Sequence, residues 1–162
     1  MNSFELTSKG MLRTAPELAA KYIRSRVQLG DLVYALRGLI GHVMLVPQEL
    51  EGANLTQGTA RIAPDRLILS SEYLLWAMRS PIVMSQSLRE AKGSALKEIS
   101  LNSLKKILIP LPCKEEQFEI GRQVNAVWSH EKLCCKNLAT YESVKRGLMQ
   151  DLLSGSVRVT TP

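Results

Sequence analysis

Seven side chains among the first hundred residues, Arg37, Gln57, Arg61, Arg79, Arg89, Lys92 and Lys97, have the chemistry needed to hold and read a polyanion. Arginine and glutamine can each make two parallel hydrogen bonds to the edge of a base, and lysine meets a phosphate as a point charge. Two of these residues stand in turn sequences, Arg37-Gly38 and Lys92-Gly93-Ser94, where side chains and backbone amides point outward within reach of phosphate. For each residue taken singly, the alternative is a solvated surface charge.

The charge distribution favours the same chemistry. Residues 1–112 hold 14 Lys+Arg against 9 Asp+Glu, net +5, whereas residues 113–162 hold 7 against 6, net +1. A basic domain draws polyanions through its long-range field, although a net charge of this size is also ordinary for solubility. Other chemistry is missing from the sequence. It contains no Gly-x-Gly-x-x-Gly and no phosphate-loop pattern, and Cys113, Cys134, Cys135, His42 and His130 lack metal-ligand spacing. Ser94-Ala95-Leu96-Lys97 and Ser103-Leu104-Lys105-Lys106 match a Ser-x-x-Lys pattern, but nothing else of that hydrolase signature accompanies them. No catalytic, metal or cofactor site is expected.

These side chains need a scaffold, and 162 residues with 45% hydrophobic and 22% charged content can build one ordinary core. The most apolar stretch, 67–83, is interrupted by Glu72, Arg79 and Pro81, too soon for a membrane span. The first residues lack the pattern of a signal peptide, and three cysteines, two of them adjacent, suggest no disulfide framework. A cytoplasmic protein is expected.

Helical spacing over 18–27 precedes a hairpin of 32–37 and 42–46 around Gly38 and Gly41. A further strand over 55–62 carries a bulge or close backbone approach at Gly58. Ser70-Ser71-Glu72 caps a helix that runs through Met78 and is ended by Pro81, and a second helix covers 82–90. A strand over 95–100 follows the Gly93 turn. Residues 107–112 form a last buried strand or extended exit, with Pro110 and Pro112 barring a helix.

From Glu115 to Leu153 no proline occurs. Ile120, Val124, Val127, Glu131, Cys134, Leu138, Tyr141, Lys145, Leu148 and Leu152 succeed one another in alternating steps of 4 and 3, and eight of the ten are apolar. That spacing predicts a coiled-coil seam on one long helix, or on two in series, nearly 60 Å at about 1.5 Å per residue.

Several short motifs, taken in order, carry a family resemblance: Leu29-Gly30-Asp31, Arg37-Gly38, Gln57-Gly58, Tyr73-Leu74, Gly93-Ser94, Ile99-Ser100-Leu101, Ile109-Pro110-Leu111-Pro112, Glu116-Gln117 and Leu152-Leu153-Ser154-Gly155. Their order and spacing resemble those of specificity subunits of type I restriction-modification systems, over roughly residues 12–159. The resemblance implies a target recognition domain that reads part of an interrupted DNA site, and a long helix that sets the distance to a second such domain while docking methyltransferase subunits. It also implies a half-subunit or fragment, since family recognition domains have further strands ahead of the segment matching Gly30-Asp31, and full-length subunits hold two domains and two helices.

The expected architecture is therefore α+β: a small mixed α/β recognition domain over 1–112, a dimerisation and spacer helix over 113–155, and a tail over 156–162. The chain is expected to bind double-stranded DNA and to partner methyltransferase and restriction subunits. It would hold no cofactor and do no catalysis, because the resemblance puts S-adenosylmethionine and ATP on those partners. The alternative is a helical assembly protein that binds no DNA. Glu131 and Lys145 lie two heptads apart in the seam, where a parallel homodimer would set each against its own like charge. An antiparallel homodimer is expected.

Overall fold

The computed structural model describes residues 6–94 and 96–159. The chain divides into two compact units, Met1–Gly121 and Arg122–Pro162.

The first unit is built on a three-stranded antiparallel sheet in the order β2-β1-β3, formed by β1 (Leu32–Ala35), β2 (Val43–Leu45) and β3 (Thr59–Ile62). Val33 pairs with Met44 on one side and Arg61 on the other, and Tyr34 pairs with Val43 and Ala60. Directly paired residues share a face of the pleat, so the Tyr34 row and the Val33 row point to opposite sides. The Tyr34 row packs in the main core with Leu74, Leu75 and Met78 of α2 (Ser71–Arg79) and Val83 of α3 (Pro81–Glu90). Val33 packs on the other side with Val27, Val46 and Leu50. Central strand β1 is therefore buried on both faces, which explains why Leu32, Val33 and Tyr34 read as a continuous apolar run.

Caps set the helix boundaries. Ser70 Oγ accepts from Tyr73 N and Ser80 Oγ from Val83 N, each satisfying an orphan N–H of the first turn. Pro81 serves both as the end of α2 and as the first residue of α3, a position where its missing N–H costs nothing.

Three segments differ from the sequence expectation. The helix expected over 18–27 is a short α1 (Pro16–Lys21) followed by a 3-10 turn, Ile23–Ser25. The strand expected over 55–62 begins only after Gly58, whose φ of +90° breaks extended geometry. The strand expected over 95–100 does not form: residue 95 lies outside the described residues, Glu98 makes single bridges to Arg37 and Lys92, and Ser100 already caps α4 (Leu101–Leu104). A turn that reverses the chain between Lys92 and Glu98 leaves too few residues to extend a ladder.

Residues 107–112 run extended without entering the sheet, and side chains take the place of a neighbouring strand. Gln86 Nε2 donates to the Leu108 carbonyl at 2.9 Å while Leu108 N donates to Gln86 Oε1 at 3.0 Å, reproducing both halves of a β-pair. Tyr73 OH donates to the Pro110 carbonyl at 2.9 Å. Burial, and next the charge of Glu116, push the Tyr73 hydroxyl above its ordinary value.

Helix α5 spans Lys114–Leu153 as 40 continuous residues. Glu115 and Glu116 occupy its first turn, where carboxylates complement the helix dipole. Glu115 titrates below its usual range, because of the hydrogen bond from its own backbone N–H and then that with the Cys113 side chain. The first two turns, through Gly121, belong to the first unit. In the second unit, Val127, Leu138, Tyr141, Leu148 and Leu152 of the seam are all exposed on the single chain, as are Glu131, Cys134 and Lys145.

Candidate nucleic-acid interface

Three glycine turns meet where β1 ends. Leu36 N donates to the Gly58 carbonyl at 2.8 Å, Ile99 N to the Leu36 carbonyl at 2.9 Å, and Gly38 N to the Lys97 carbonyl at 3.0 Å. Lys92 and Glu98 exchange two backbone hydrogen bonds of 2.8 Å across the Gly93 turn. The Gln57-Gly58, Arg37-Gly38 and Gly93 turns are thereby stitched side by side. Gly93 has φ +104°, and a Cβ there would collide with the Leu96 carbonyl, so both conformation and space require glycine.

This stitching brings the backbones of four of the seven expected residues, Arg37, Gln57, Lys92 and Lys97, to one end of the sheet, and all four residues are exposed. An open groove of about 400 Å³ runs alongside, lined by Glu90, Lys92, Gly93, Leu96, Glu98, Ser100 and Ser103. Arg89 is exposed on the last turn of α3, just ahead of Lys92, and donates to Ser85 Oγ at 3.3 Å.

Arg61 and Arg79 are instead engaged inside the fold. Arg61 Nε donates to Asp31 Oδ2 at 2.5 Å, and Asp31 is buried. Arg79 donates from Nε and Nη2 to the Val43 carbonyl at 3.0 and 2.7 Å, and its guanidinium lies 5.1 Å from the Trp76 ring centroid. Both bind the sheet to its surroundings. A sequence shows an arginine but not the buried carbonyl or carboxylate that will claim it.

Sequence reasoning missed Glu98. Arg37 donates to Glu98 Oε2 from Nε at 3.0 Å and from Nη2 at 2.8 Å, with both side chains about half exposed. The one available clue was the Gly93 turn itself, which sets an acidic residue across from Lys92.

Positively charged side chains raised on glycine turns beside a groove can take phosphates with lysine and base edges with arginine and glutamine. Among the described residues, no group of three or more His, Cys, Asp or Glu could hold a metal ion. No described helix is long and apolar enough to cross a membrane.

Comparison with known proteins points the same way. Residues 12–131 match the family described as type I restriction modification DNA specificity domain. The chain is 27% identical over 98% of its length to the type I restriction enzyme EcoBI specificity subunit of Escherichia coli, spanning 33% of that protein. It is 26% identical over 81% of its length to a putative type I restriction enzyme MjaX specificity subunit of Methanocaldococcus jannaschii, spanning 30% of it. The chain thus spans about a third of the curated relatives it matches. Among solved structures, one described for complex assembly and conformational transition of the type I R-M system superposes with a TM-score of 0.67 at 26% identity, covering 85% of this chain and 36% of that one. The HsdS subunit from Thermoanaerobacter tengcongensis shares the fold, with a TM-score of 0.60 at 24% identity over 85% of this chain and 36% of that one.

Proposed function

Because this chain belongs to the family of type I restriction-modification DNA specificity domains, we propose that it binds double-stranded DNA sequence-specifically through the glycine-turn cluster and directs a methyltransferase subunit, and a restriction subunit with it, to the site. The observation that carries this reading is that the turns bearing Arg37, Gln57, Lys92 and Lys97, all four exposed, are hydrogen-bonded together at one end of the sheet. The chain itself transfers no methyl group and hydrolyses no ATP; S-adenosylmethionine and ATP belong to the partner subunits. It works in the cytoplasm.

The long helix provides the second half of the function. Its exposed seam residues pair with those of another copy. An antiparallel pair centred between Leu138 and Tyr141 brings Glu131 within about one helical turn of Lys145 of the second copy, so opposite charges meet twice per dimer. That arrangement carries two recognition domains to opposite ends, as an interrupted inverted repeat requires. Glu131→Lys should weaken the dimer in analytical ultracentrifugation, and adding Lys145→Glu should restore it. A monomer at tens of micromolar would contradict the arrangement.

DNA binding itself is tested by measuring affinity for random duplex across salt concentration. Counterion release predicts a linear fall of log K with log salt. Lys92→Glu should lower both affinity and slope, the slope by about 1 for each phosphate no longer neutralised, and Arg37→Glu should lower affinity. Negligible affinity at every salt concentration would identify a helical assembly protein instead.

A further inference from the structure

An acidic residue bridged to both Arg37 and Lys92, in the cluster read as DNA-binding, needs a reason, since it repels every phosphate that approaches. The geometry of Glu98 supplies one. A single carboxylate oxygen, Oε2, accepts from both Nε and Nη2 of Arg37, so it engages one edge of the planar guanidinium and leaves the Nη1–Nη2 edge facing away. That outer edge is a two-donor fork, and it fits the O6 and N7 acceptors of guanine in the major groove. The backbone of Glu98 is fixed independently of its side chain, by the exchange with Lys92 and by its bridge to Arg37. The carboxylate is therefore carried on backbone tied to both Lys92 and Arg37, opposite the arginine it grips.

We propose that Glu98 is a positioning residue for base readout: it holds Arg37 by the Nε–Nη2 edge so that the opposite edge is already oriented toward a guanine. This rests on reading the glycine-turn cluster as the DNA interface. Orientation in advance removes the rotamer entropy that a free arginine loses on binding, and it denies Arg37 to stray phosphates. Glu98 thus trades general affinity for discrimination.

The test is selection from a randomised duplex library by the full chain, followed by affinity measurement on the selected duplex and on its single-base variants. The wild type should demand guanine at one position. Glu98→Ala should lose about tenfold of the preference at that position alone, with duplex affinity equal or higher and the salt slope steeper by about 1, because the Arg37 charge is uncovered. Glu98→Gln keeps an oxygen acceptor and should keep most of the preference. Arg37→Ala should lose the same guanine, and adding Glu98→Ala to it should change nothing further at that base. Retention of the guanine preference by Glu98→Ala, equal losses in Glu98→Ala and Glu98→Gln, or a further loss in the double variant would overturn the proposal while leaving DNA binding in place. A wild type with no salt-dependent duplex binding would overturn the reading of the cluster, and this inference with it.

Discussion

The two ends of β1 use the same materials and reach opposite results. At its start, Asp31 pairs with Arg61 and also accepts from Gln28 N at 2.7 Å, with 3% of the aspartate side chain exposed. Arg66 reaches the Leu29 carbonyl there, and Lys114 donates to the Arg66 carbonyl. Nearby, Gln117, itself buried, accepts from Ser70 N at 2.9 Å and donates to the carbonyls of Pro112 at 2.9 Å and Ile68 at 3.1 Å. At the far end, Arg37 also meets a carboxylate and glycine turns also bring segments together, but Glu98 is 50% exposed. An arginine–carboxylate pair is a structural tie where the carboxylate is buried among other donors, and an available surface where it is not. The closed end ties the start of α5 to the segments around it, while the open end leaves Arg37 and Glu98 exposed.

Substitution at the closed end should do the most damage. Asp31→Ala removes the buried acceptor shared by Arg61 Nε and the Gln28 N–H and should cost about 3 kcal/mol of stability, measured by urea denaturation. Glu98→Ala should cost less than about 1 kcal/mol, because exposed pairs contribute little. Equal costs would erase the distinction between the two ends. Gln117→Leu leaves two carbonyls and one N–H without their partner and should cost about 2 kcal/mol, with faster amide exchange over 114–121 and none over 92–98.

Tyr73→Phe removes a single bond at the closed end, that to Pro110, and should cost about 1 kcal/mol. Its pH dependence has a defined sign. The folded Tyr73 hydroxyl titrates above the unfolded value of about 10, so its contribution is full below that value and is lost as pH rises through the folded one. The phenylalanine variant should therefore lose less stability than the wild type on going from neutral to strongly alkaline pH.

What the sequence made legible follows from how local each signal was. The hairpin, the Ser70 cap, the stop at Pro81 and the long α5 are fixed by residues adjacent in the chain, and each forms close to where the pattern put it. Segment 95–100 reads as a strand after the Gly93 turn, and 107–112 as a buried strand or an extended exit, the second of which forms. Whether they join a sheet depends on remote groups: the Gly93 reversal uses up the first segment, and Gln86, Tyr73 and Gln117 occupy the backbone of the second. The candidate site was legible only in part for the same reason. Turn glycines marked Arg37, Gln57 and Lys92, whereas nothing near Arg61 or Arg79 in the chain announces Asp31 or the Val43 carbonyl.

If the open end of β1 is the DNA-binding surface, amide hydrogen exchange of the full chain with and without excess duplex DNA should show it directly. Residues 36–38, 57–59 and 92–98 should gain protection, while 48–55 and the Asp31 end should stay unchanged. Protection centred on 48–55 or on the Asp31 end, with the three glycine turns unaffected, would contradict it.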